Sequence, residues 1–363
     1  MTRGARACDW NSVALAEGSP LSSCQPHAAL ARVALAHLPT PLWHNPALDR
    51  LLGCEIWVKR DDMSAGAAAG NKIRKLEYLL AEAQKAGADH VITCGAAQSN
   101  HARATAILAR GLGMPSSLLL RAKDPRQPGP AVGNLALDQL VGADCKFISY
   151  AEYADRARLM QALAQQLAAR GAKPYVIPEG GSNGLGAIGY FEAMREVRQQ
   201  LEVGLGPGLS SPDHYGFDLV VHACGSGGTA AGISLGAGGF GVAPACAAVA
   251  VCDDVAYFEA CIQRIEREAA AHVKQLSRTT RQLVFDQFKG PAYGVANDEQ
   301  RRFIRTVAAT TSLILDPVYS GKALWGLSQL LTAPERFGFD RPPRRVLFVH
   351  TGGLPGLLAE PAL

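Results

Sequence analysis

The sequence contains no apolar run long enough to cross a membrane, which would need about 18 consecutive apolar residues. The net charge is only +4, too small and too scattered to predict binding to nucleic acid or to a membrane. A secretory signal is not expected, because Asp9, Glu17 and Pro20 interrupt the apolar stretches of residues 1–37. These absences predict a soluble, cytoplasmic protein.

Cysteine and histidine are present without the spacings that bind metals. The 9 cysteines are odd in number and include no CxxC pair. Cys94, Cys224 and Cys246 lie in apolar surroundings, which predicts reduced, buried thiols and excludes a disulfide framework or a zinc site. His101 and His350 have no partners at ligand spacing, so we expect no metal.

The chain does contain enough apolar material for large cores. Its 363 residues are 48% hydrophobic and 19% charged, a globular composition. This length suggests about two domains. The 38 glycines cluster in short motifs rather than in a linker.

Helical patterns and short apolar strands alternate along most of the chain. Predicted strands lie at 55–62, 90–94, 116–121, 145–149 and 174–178, and again at 218–223, 246–251 and 345–350, and a long helix is predicted at about 151–170. This alternation is typical of βαβ units and predicts an α/β fold of two doubly wound parallel-sheet domains. The predicted parts are an extension at 1–37, a large domain from 38–73 and 189–363, and a small domain at 74–188. Ligands in such folds bind beyond the carboxyl ends of the strands, so we expect the site in a cleft between the domains.

One basic stretch carries the first candidate site residue, Lys72. It lies between a run of small residues, 65–70, and a helical pattern whose apolar positions share one face. A lysine at the mouth of such a helix can lose contact with water, which lowers its pKa and exposes a nucleophilic amine. This environment suits a Schiff-base lysine. The alternative is a solvated basic turn formed with Arg74 and Lys75.

A glycine-rich segment follows a predicted buried strand and opens a helix. Its members are Gly225, Ser226, Gly227, Gly228 and Thr229. Converging backbone N–H groups, hydroxyls and a helix N-terminus together make a phosphate site. The segment has neither the GK[ST] of a Walker loop nor GxGxxG with an acidic residue for a ribose. It therefore predicts a small monophosphate ligand, or alternatively a tight turn that binds nothing.

Four polar residues begin a second helix after a strand: Gln98, Ser99, Asn100 and His101. Ser99 or Asn100 could be a simple N-cap. Four such groups together favour a loop that binds a carboxylate, since free helix N–H groups attract anions. With Lys72, the monophosphate loop and a threonine at a late strand end, this set predicts pyridoxal 5'-phosphate and an amino-acid substrate.

Seven segments, taken in order, resemble one enzyme family. They are KRDDMSAGAAAGNKIRKLEYLL, GAAQSNHARATA, PEGGSNGLGAIGY, GSGGTAAG, YGVANDEQ, LDPVYSGKALWGL and HTGGLPGL. The family is that of D-cysteine desulfhydrase and 1-aminocyclopropane-1-carboxylate deaminase, pyridoxal-phosphate enzymes of fold type II. The resemblance covers roughly residues 38–357, and the family implies a homodimer.

The resemblance implies a cofactor-binding role at several positions. Lys72 would carry the cofactor as an imine and move the Cα proton of the substrate. Asn71 would bind the phenolic oxygen of the cofactor, and Gly225–Thr229 would bind its phosphate. Thr351 would meet the pyridine nitrogen.

The resemblance also implies substrate-binding and catalytic residues. Ser99, Asn100 and His101, with Gln98 in the same loop, would bind the substrate carboxylate, and Ser99 is a candidate acid or base. Tyr293 and Tyr319 match two active-site tyrosines of the family.

One departure from the deaminase pattern bears on the reaction. The cyclopropane deaminases have Glu after the tyrosine of the DPVY motif, near the pyridine nitrogen, whereas this chain has Ser320. A hydroxyl brings no negative charge to keep that nitrogen protonated, so the ring is a weaker electron sink. This favours β-elimination of a good leaving group over opening of a cyclopropane ring.

The favoured hypothesis is therefore elimination of sulfide from D-cysteine. L-Cysteate, which would release sulfite, is the nearest competitor, and a cationic group beside Tyr293 and Tyr319 would favour it. The cyclopropane deaminase is disfavoured by Ser320. A catalytically silent phosphate-binding protein on the same scaffold is the alternative from another class.

Overall fold

The computed structural model of the protein describes residues 30–211, 214–273 and 279–360, so most of the predicted extension lies outside the described residues. The strands are β1 Leu42–His44, β2 Glu55–Lys59, β3 His90–Ala96, β4 Ser116–Arg121, β5 Asp144–Ile148, β6 Pro174–Val176, β7 Leu219–Cys224, β8 Ala245–Ala250, β9 Arg281–Phe285 and β10 Arg345–Val349. The helices are α1 Pro46–Leu52, α2 Lys72–Lys85, α3 Asn100–Gly111, α4 Gly133–Leu140, α5 Tyr150–Tyr153, α6 Arg156–Ala168, α7 Gly184–Glu202, α8 Gly228–Ala237, α9 Val255–Ala269, α10 Asp298–Thr311, α11 Ser320–Thr332 and α12 Leu354–Leu358. No helix within the described ranges is both long and apolar enough to span a bilayer.

The strands form two sheets, as the alternating pattern predicts. One has the order β1-β2-β10-β7-β8-β9 and the other the order β5-β4-β3-β6. All neighbouring strands run parallel except β1, which pairs antiparallel with β2. The predicted α/β fold with parallel sheets is confirmed, and β1, a strand that was not predicted, adds one antiparallel neighbour at this edge. The link between β1 and β2 contains only the short α1, whereas a parallel crossover needs a dozen or more residues.

The central strands of the larger sheet are buried on both faces. Every residue of β7 and β8 is buried. Val220 packs in the cluster that contains Phe191 of α7, while its neighbour Val221 packs on the opposite face with Leu324 of α11. Helices cover both faces, which explains why these strands are apolar at every position except His222 rather than alternating.

Two further elements differ from the sequence prediction. The helix expected at 151–170 is two helices, because the chain turns between α5 and α6. Ser149 begins α5 with a capping box to Glu152. The edge strand β9 was not predicted, since its sequence, RQLVF, is short and begins with two polar residues. The boundaries of the two domains stay a prediction.

A buried ion-pair network fixes the start of α2. Arg74 donates to Asp61 at 2.8 Å and to Glu196 of α7 at 2.9 Å. Arg60 pairs instead with Asp62 at 2.7 Å. The expected structural ion pairs at 60–62 are present, but Asp61 turns inward to Arg74. This anchoring holds the first turn of α2, where Lys72 lies.

Candidate active site

A cleft of about 380 Å³ lies at the carboxyl ends of β7 and β10. Its lining residues come from the starts of four helices, α2, α3, α8 and α11, and from the ends of these strands. They are Asn71, Lys72, Asn100, Ala223, Cys224, Gly225, Ser226, Gly227, Thr229, Ala230, Tyr319 and Thr351. Segments far apart in the sequence thus meet at the place where parallel sheets bind ligands.

Lys72 is the first residue of α2 and lines the cleft. Its Nζ donates to Asn71 Oδ1 at 3.2 Å and lies 6.0 Å from the centre of the Tyr319 ring. Desolvation lowers the pKa of Lys72 to about 8. The alternative of a solvated basic turn is wrong, because Arg74 and Lys75 are both buried. An amine with this pKa is partly neutral near pH 7 and can act as a nucleophile or a base.

Lys75 is a site residue that the sequence analysis missed. Its Nζ donates to Gly180 O at 3.1 Å and to Ser182 Oγ at 3.2 Å. Burial and the nearby charge of Lys72 hold the pKa of Lys75 well below its usual value. The sequence feature that could have identified Lys75 is its spacing, since a residue three places after Lys72 lies on the same face of the helix.

The glycine-rich segment forms a cup with Lys75 on its wall. A Cβ added to Gly228 would lie 2.7 Å from Ser182 Oγ and 2.8 Å from Lys75 Nζ, so only glycine fits there. Ser182 also hydrogen-bonds Ser226 at 2.8 Å between their hydroxyl oxygens. The cup therefore combines the N-terminus of α8, two hydroxyls and a lysine, which is the donor set of an anion site.

The loop before α3 places its polar residues in different directions. Ser99 caps the helix by accepting the Ala102 N–H at 3.1 Å. Asn100 lines the cleft, and its buried Oδ1 has no hydrogen-bond partner among the described residues. This free acceptor leaves Asn100 available to a ligand in the cleft.

Of these four residues Asn100 lines the cleft, whereas Gln98, Ser99 and His101 do not. Gln98 donates to Val132 O at 2.9 Å and accepts from Asn134 N at 3.0 Å, so it holds the start of α4. His101 is buried with Nε2 2.9 Å from Thr93 Oγ1, and burial holds its pKa well below its usual value. Gln98 is thus engaged by the protein, while His101 is bonded through Nε2 and its buried Nδ1 has no partner among the described residues.

Tyr293 and Tyr319 are brought together although 26 residues separate them. Their hydroxyl oxygens are 2.6 Å apart. Burial raises the pKa of both phenols, so both stay protonated near neutral pH. The guanidinium of Arg121, at the end of β4, lies 4.6 Å from the centre of the Tyr293 ring.

Ser320 and Thr351 differ in their access to the cleft. Ser320 is buried outside the lining, and its Oγ donates to Asp316 Oδ1 at 2.5 Å. Thr351 lines the cleft and accepts the Asn71 N–H through its backbone oxygen at 3.1 Å. Within the described part of the chain, the cleft has hydroxyls and amides in its lining but no carboxylate.

The model of one protein family matches residues 33–352 of this chain, and its description is pyridoxal-phosphate dependent enzyme. The chain belongs to this family. The protein is therefore a pyridoxal-phosphate-dependent enzyme. The geometry fits that cofactor, because a buried amine of lowered pKa and an anion cup open on the same cleft.

Similar proteins of this pyridoxal-phosphate-dependent family have related names. A bifunctional D-cysteine desulfhydrase/1-aminocyclopropane-1-carboxylate deaminase of Arabidopsis thaliana, described as mitochondrial, is 44% identical over 89% of this chain and 78% of its own length. A D-cysteine desulfhydrase of Salmonella newport is 38% identical over 90% of this chain and 95% of its own. A crystal structure of an ACC deaminase homologue superimposes with a TM-score of 0.78 at 35% identity, covering 91% of this chain and 94% of that one.

Proposed function

We propose that the protein is a carbon–sulfur lyase that converts D-cysteine and water to pyruvate, ammonia and hydrogen sulfide. One observation carries the choice of elimination: no carboxylate lines the cleft within the described ranges. A cofactor ring there would face hydroxyls such as that of Thr351, which suits loss of a good leaving group better than opening of a carbon ring. The names of the relatives support the same reaction class.

Lys72 is the base in this proposal. The cofactor supplies an aldehyde that condenses with amines and a ring that accepts the electron pair left when the Cα–H bond breaks. The neutral amine of Lys72 takes the Cα proton, and its lowered pKa keeps that neutral form accessible near pH 7. The cup of Gly225–Thr229 and Lys75 would hold the cofactor's phosphate, and Asn71 and Thr351 would bind groups of its ring.

The helix start at Ser99–His101 binds the substrate carboxylate in this scheme. Asn100 offers its side chain to the cleft, and Ser99 and His101 keep the turn in place. The protonated pair Tyr293 and Tyr319 donates hydrogen bonds to the departing sulfur. The released 2-aminoacrylate then hydrolyses to pyruvate and ammonia.

L-Cysteate is the second candidate substrate, and Arg121 is the observation that favours it. Its guanidinium lies against Tyr293, and its buried Nε has no hydrogen-bond partner among the described residues. A cation beside the tyrosine pair would attract a sulfonate leaving group. Arg121 is not in the cleft lining, so D-cysteine remains the first choice.

The test supplies purified protein and pyridoxal phosphate with D-cysteine, L-cysteate and the cyclopropane amino acid, and measures sulfide, sulfite and 2-oxobutyrate. We expect sulfide to dominate. Lys72→Ala should lose the imine absorbance and at least about 10³-fold in kcat, because it removes the base and the amine. The matched control Lys85→Ala, at the exposed end of the same helix, should change neither.

Dominant sulfite would transfer the proposal to L-cysteate, and dominant 2-oxobutyrate would show that our interpretation of Ser320 is wrong. A homodimer in the cytoplasm stays a prediction. Light scattering of the purified protein tests the dimer.

A further inference from the structure

Arg103 reaches from α3 back to the loop that precedes Lys72. Its two terminal nitrogens donate to the backbone oxygens of Ala67 and Ala69, the second at 2.9 Å. The side chain is only 2% exposed. Desolvation of a guanidinium is costly, so a buried one that donates to two backbone carbonyls indicates a specific role.

The loop it holds has a strained and crowded end. Gly70 has φ +121°, and a Cβ there would lie 2.9 Å from Thr351 O. Ser64 Oγ contacts both the N–H and the carbonyl of Gly70, at 3.0 and 3.2 Å. Among the side chains that the described structure shows bonded to this backbone, Arg103 is the charged one.

We propose that Arg103 is a positioning residue for Lys72. It joins the first turns of α3, which carry Ser99 and Asn100, to the loop that sets the position of the Lys72 amine. Through this one side chain, binding of a carboxylate at the start of α3 is coupled to the alignment of the Lys72 amine. This inference rests on the proposed role of Lys72 in the reaction.

The charge of Arg103 adds a second effect. The guanidinium is close enough to Lys72 to lower the pKa of its amine, in addition to the larger effect of desolvation. Asp138 of α4 is the buried carboxylate that faces Arg103, and neither of its oxygens has a hydrogen-bond partner within the described residues. Desolvation lowers the pKa of Arg103 to about 10 against the opposing effect of Asp138, so Arg103 stays positively charged near pH 7.

The experiment compares Arg103→Met, Arg103→Lys and the matched control Arg110→Met. Arg110 lies on the same helix and also donates to two backbone carbonyls, those of Val141 and Gly142, but at the far end. We expect Arg103→Met to lower kcat about tenfold to hundredfold with a small change in KM, because it misplaces the base. Arg103→Lys should recover part of the loss, and Arg110→Met should leave kcat unchanged.

A second measurement is independent of turnover. Acetic anhydride labels the Lys72 amine of the cofactor-free protein at a series of pH values, and peptide mass spectrometry gives the apparent pKa. This pKa should rise in Arg103→Met and stay near 8 in Arg103→Lys and Arg110→Met. A purely structural arginine would lower the melting temperature without moving this pKa.

Two results would overturn the inference: an unchanged Lys72 pKa in folded Arg103→Met, or equal losses of kcat in Arg103→Met and Arg110→Met. If Arg103→Met does not fold, Arg103→Lys provides the test. A full loss of kcat in Arg103→Lys, with the pKa of Lys72 retained, would contradict coupling through the charge and length of this side chain. Failure of the proposed function shows itself differently, as a Lys72→Ala protein that still forms the imine.

Discussion

Three basic side chains, Lys72, Lys75 and Arg103, lie at or near one cleft, and of these Lys72 is part of its lining. Desolvation lowers the pKa of both lysines, with a further lowering from Arg103 at Lys72 and from Lys72 at Lys75. A phosphate dianion bound in the cup of Gly225–Thr229 would offset this repulsion. The residues that disfavour protonation of these lysines would thus favour a phosphorylated ligand.

Lys75→Met should weaken binding of pyridoxal phosphate about tenfold to hundredfold, since a hydrogen bond to a charged group contributes about 1.5–3 kcal/mol. Binding of pyridoxal, which lacks the phosphate, should change little. Absorbance titrations with the two vitamers measure both affinities. Lys85→Met, at the exposed end of α2, is the control. Equal weakening for both vitamers would place Lys75 away from the phosphate.

At the scale of elements, four helices begin at the cleft, α11 directly after the lining residue Tyr319. The first residues of α2, α3 and α8 are Lys72, Asn100 and Gly228. Each helix N-terminus carries partial positive charge and free N–H groups. One cleft therefore presents donors to a phosphate and to a carboxylate from separate helices, and the strands that precede α3 and α8 fix their directions.

Gly228→Ala tests this use of α8. The added methyl would overlap Ser182 Oγ and Lys75 Nζ, so the wall of the cup must move. We expect the affinity for pyridoxal phosphate to fall at least about tenfold, while the far-ultraviolet circular dichroism stays unchanged. Gly111→Ala is the control, because a Cβ there meets no atom within 4 Å. An unchanged affinity in Gly228→Ala would mean that the phosphate binds elsewhere.

At the scale of the whole molecule, buried charges fall into two classes. Asp61, Arg74 and Glu196 form mutual ion pairs. Asp138 has no hydrogen-bond partner among the described residues, and desolvation raises its pKa to about 7 despite the opposing effect of Arg103. The paired network stabilises the fold near neutral pH, whereas ionisation of Asp138 destabilises the fold.

Asp138→Asn tests the sign of this effect. Between about pH 4 and pH 7 the folded protein keeps a proton that the unfolded chain has released, so the stability contributed by this proton is lost as the pH rises through 7. The side-chain amide introduced by the substitution cannot ionise, so the variant lacks this dependence. The free energy of unfolding of the variant, relative to that of the parent, should therefore be larger at pH 8 than at pH 5, which means that the variant gains relative stability as the pH rises.

Urea denaturation at the two pH values measures this difference. The exposed Asp340→Asn is the control and should follow the parent protein at both. A relative stability that falls from pH 5 to pH 8 would mean that the Asp138 carboxylate is stabilised by its surroundings.

The sequence by itself determined the repeating strands and helices, the family and the candidate lysine. Runs such as LVVHAC are apolar except for His222 because helices cover both faces of the sheet, and this composition is visible in a single strand. Gly225–Thr229 is similarly local, since its close approach to a ligand requires small residues in consecutive positions.

The tertiary structure alone decided where polar side chains point. Lys75 joins the phosphate cup, Ser320 turns to Asp316, and Gln98 turns to α4. Arg103 holds a backbone 34 residues earlier in the chain. The direction and the desolvation of a polar side chain depend on the packing of segments that are distant in sequence. A local sequence pattern does not indicate which neighbours that side chain will contact.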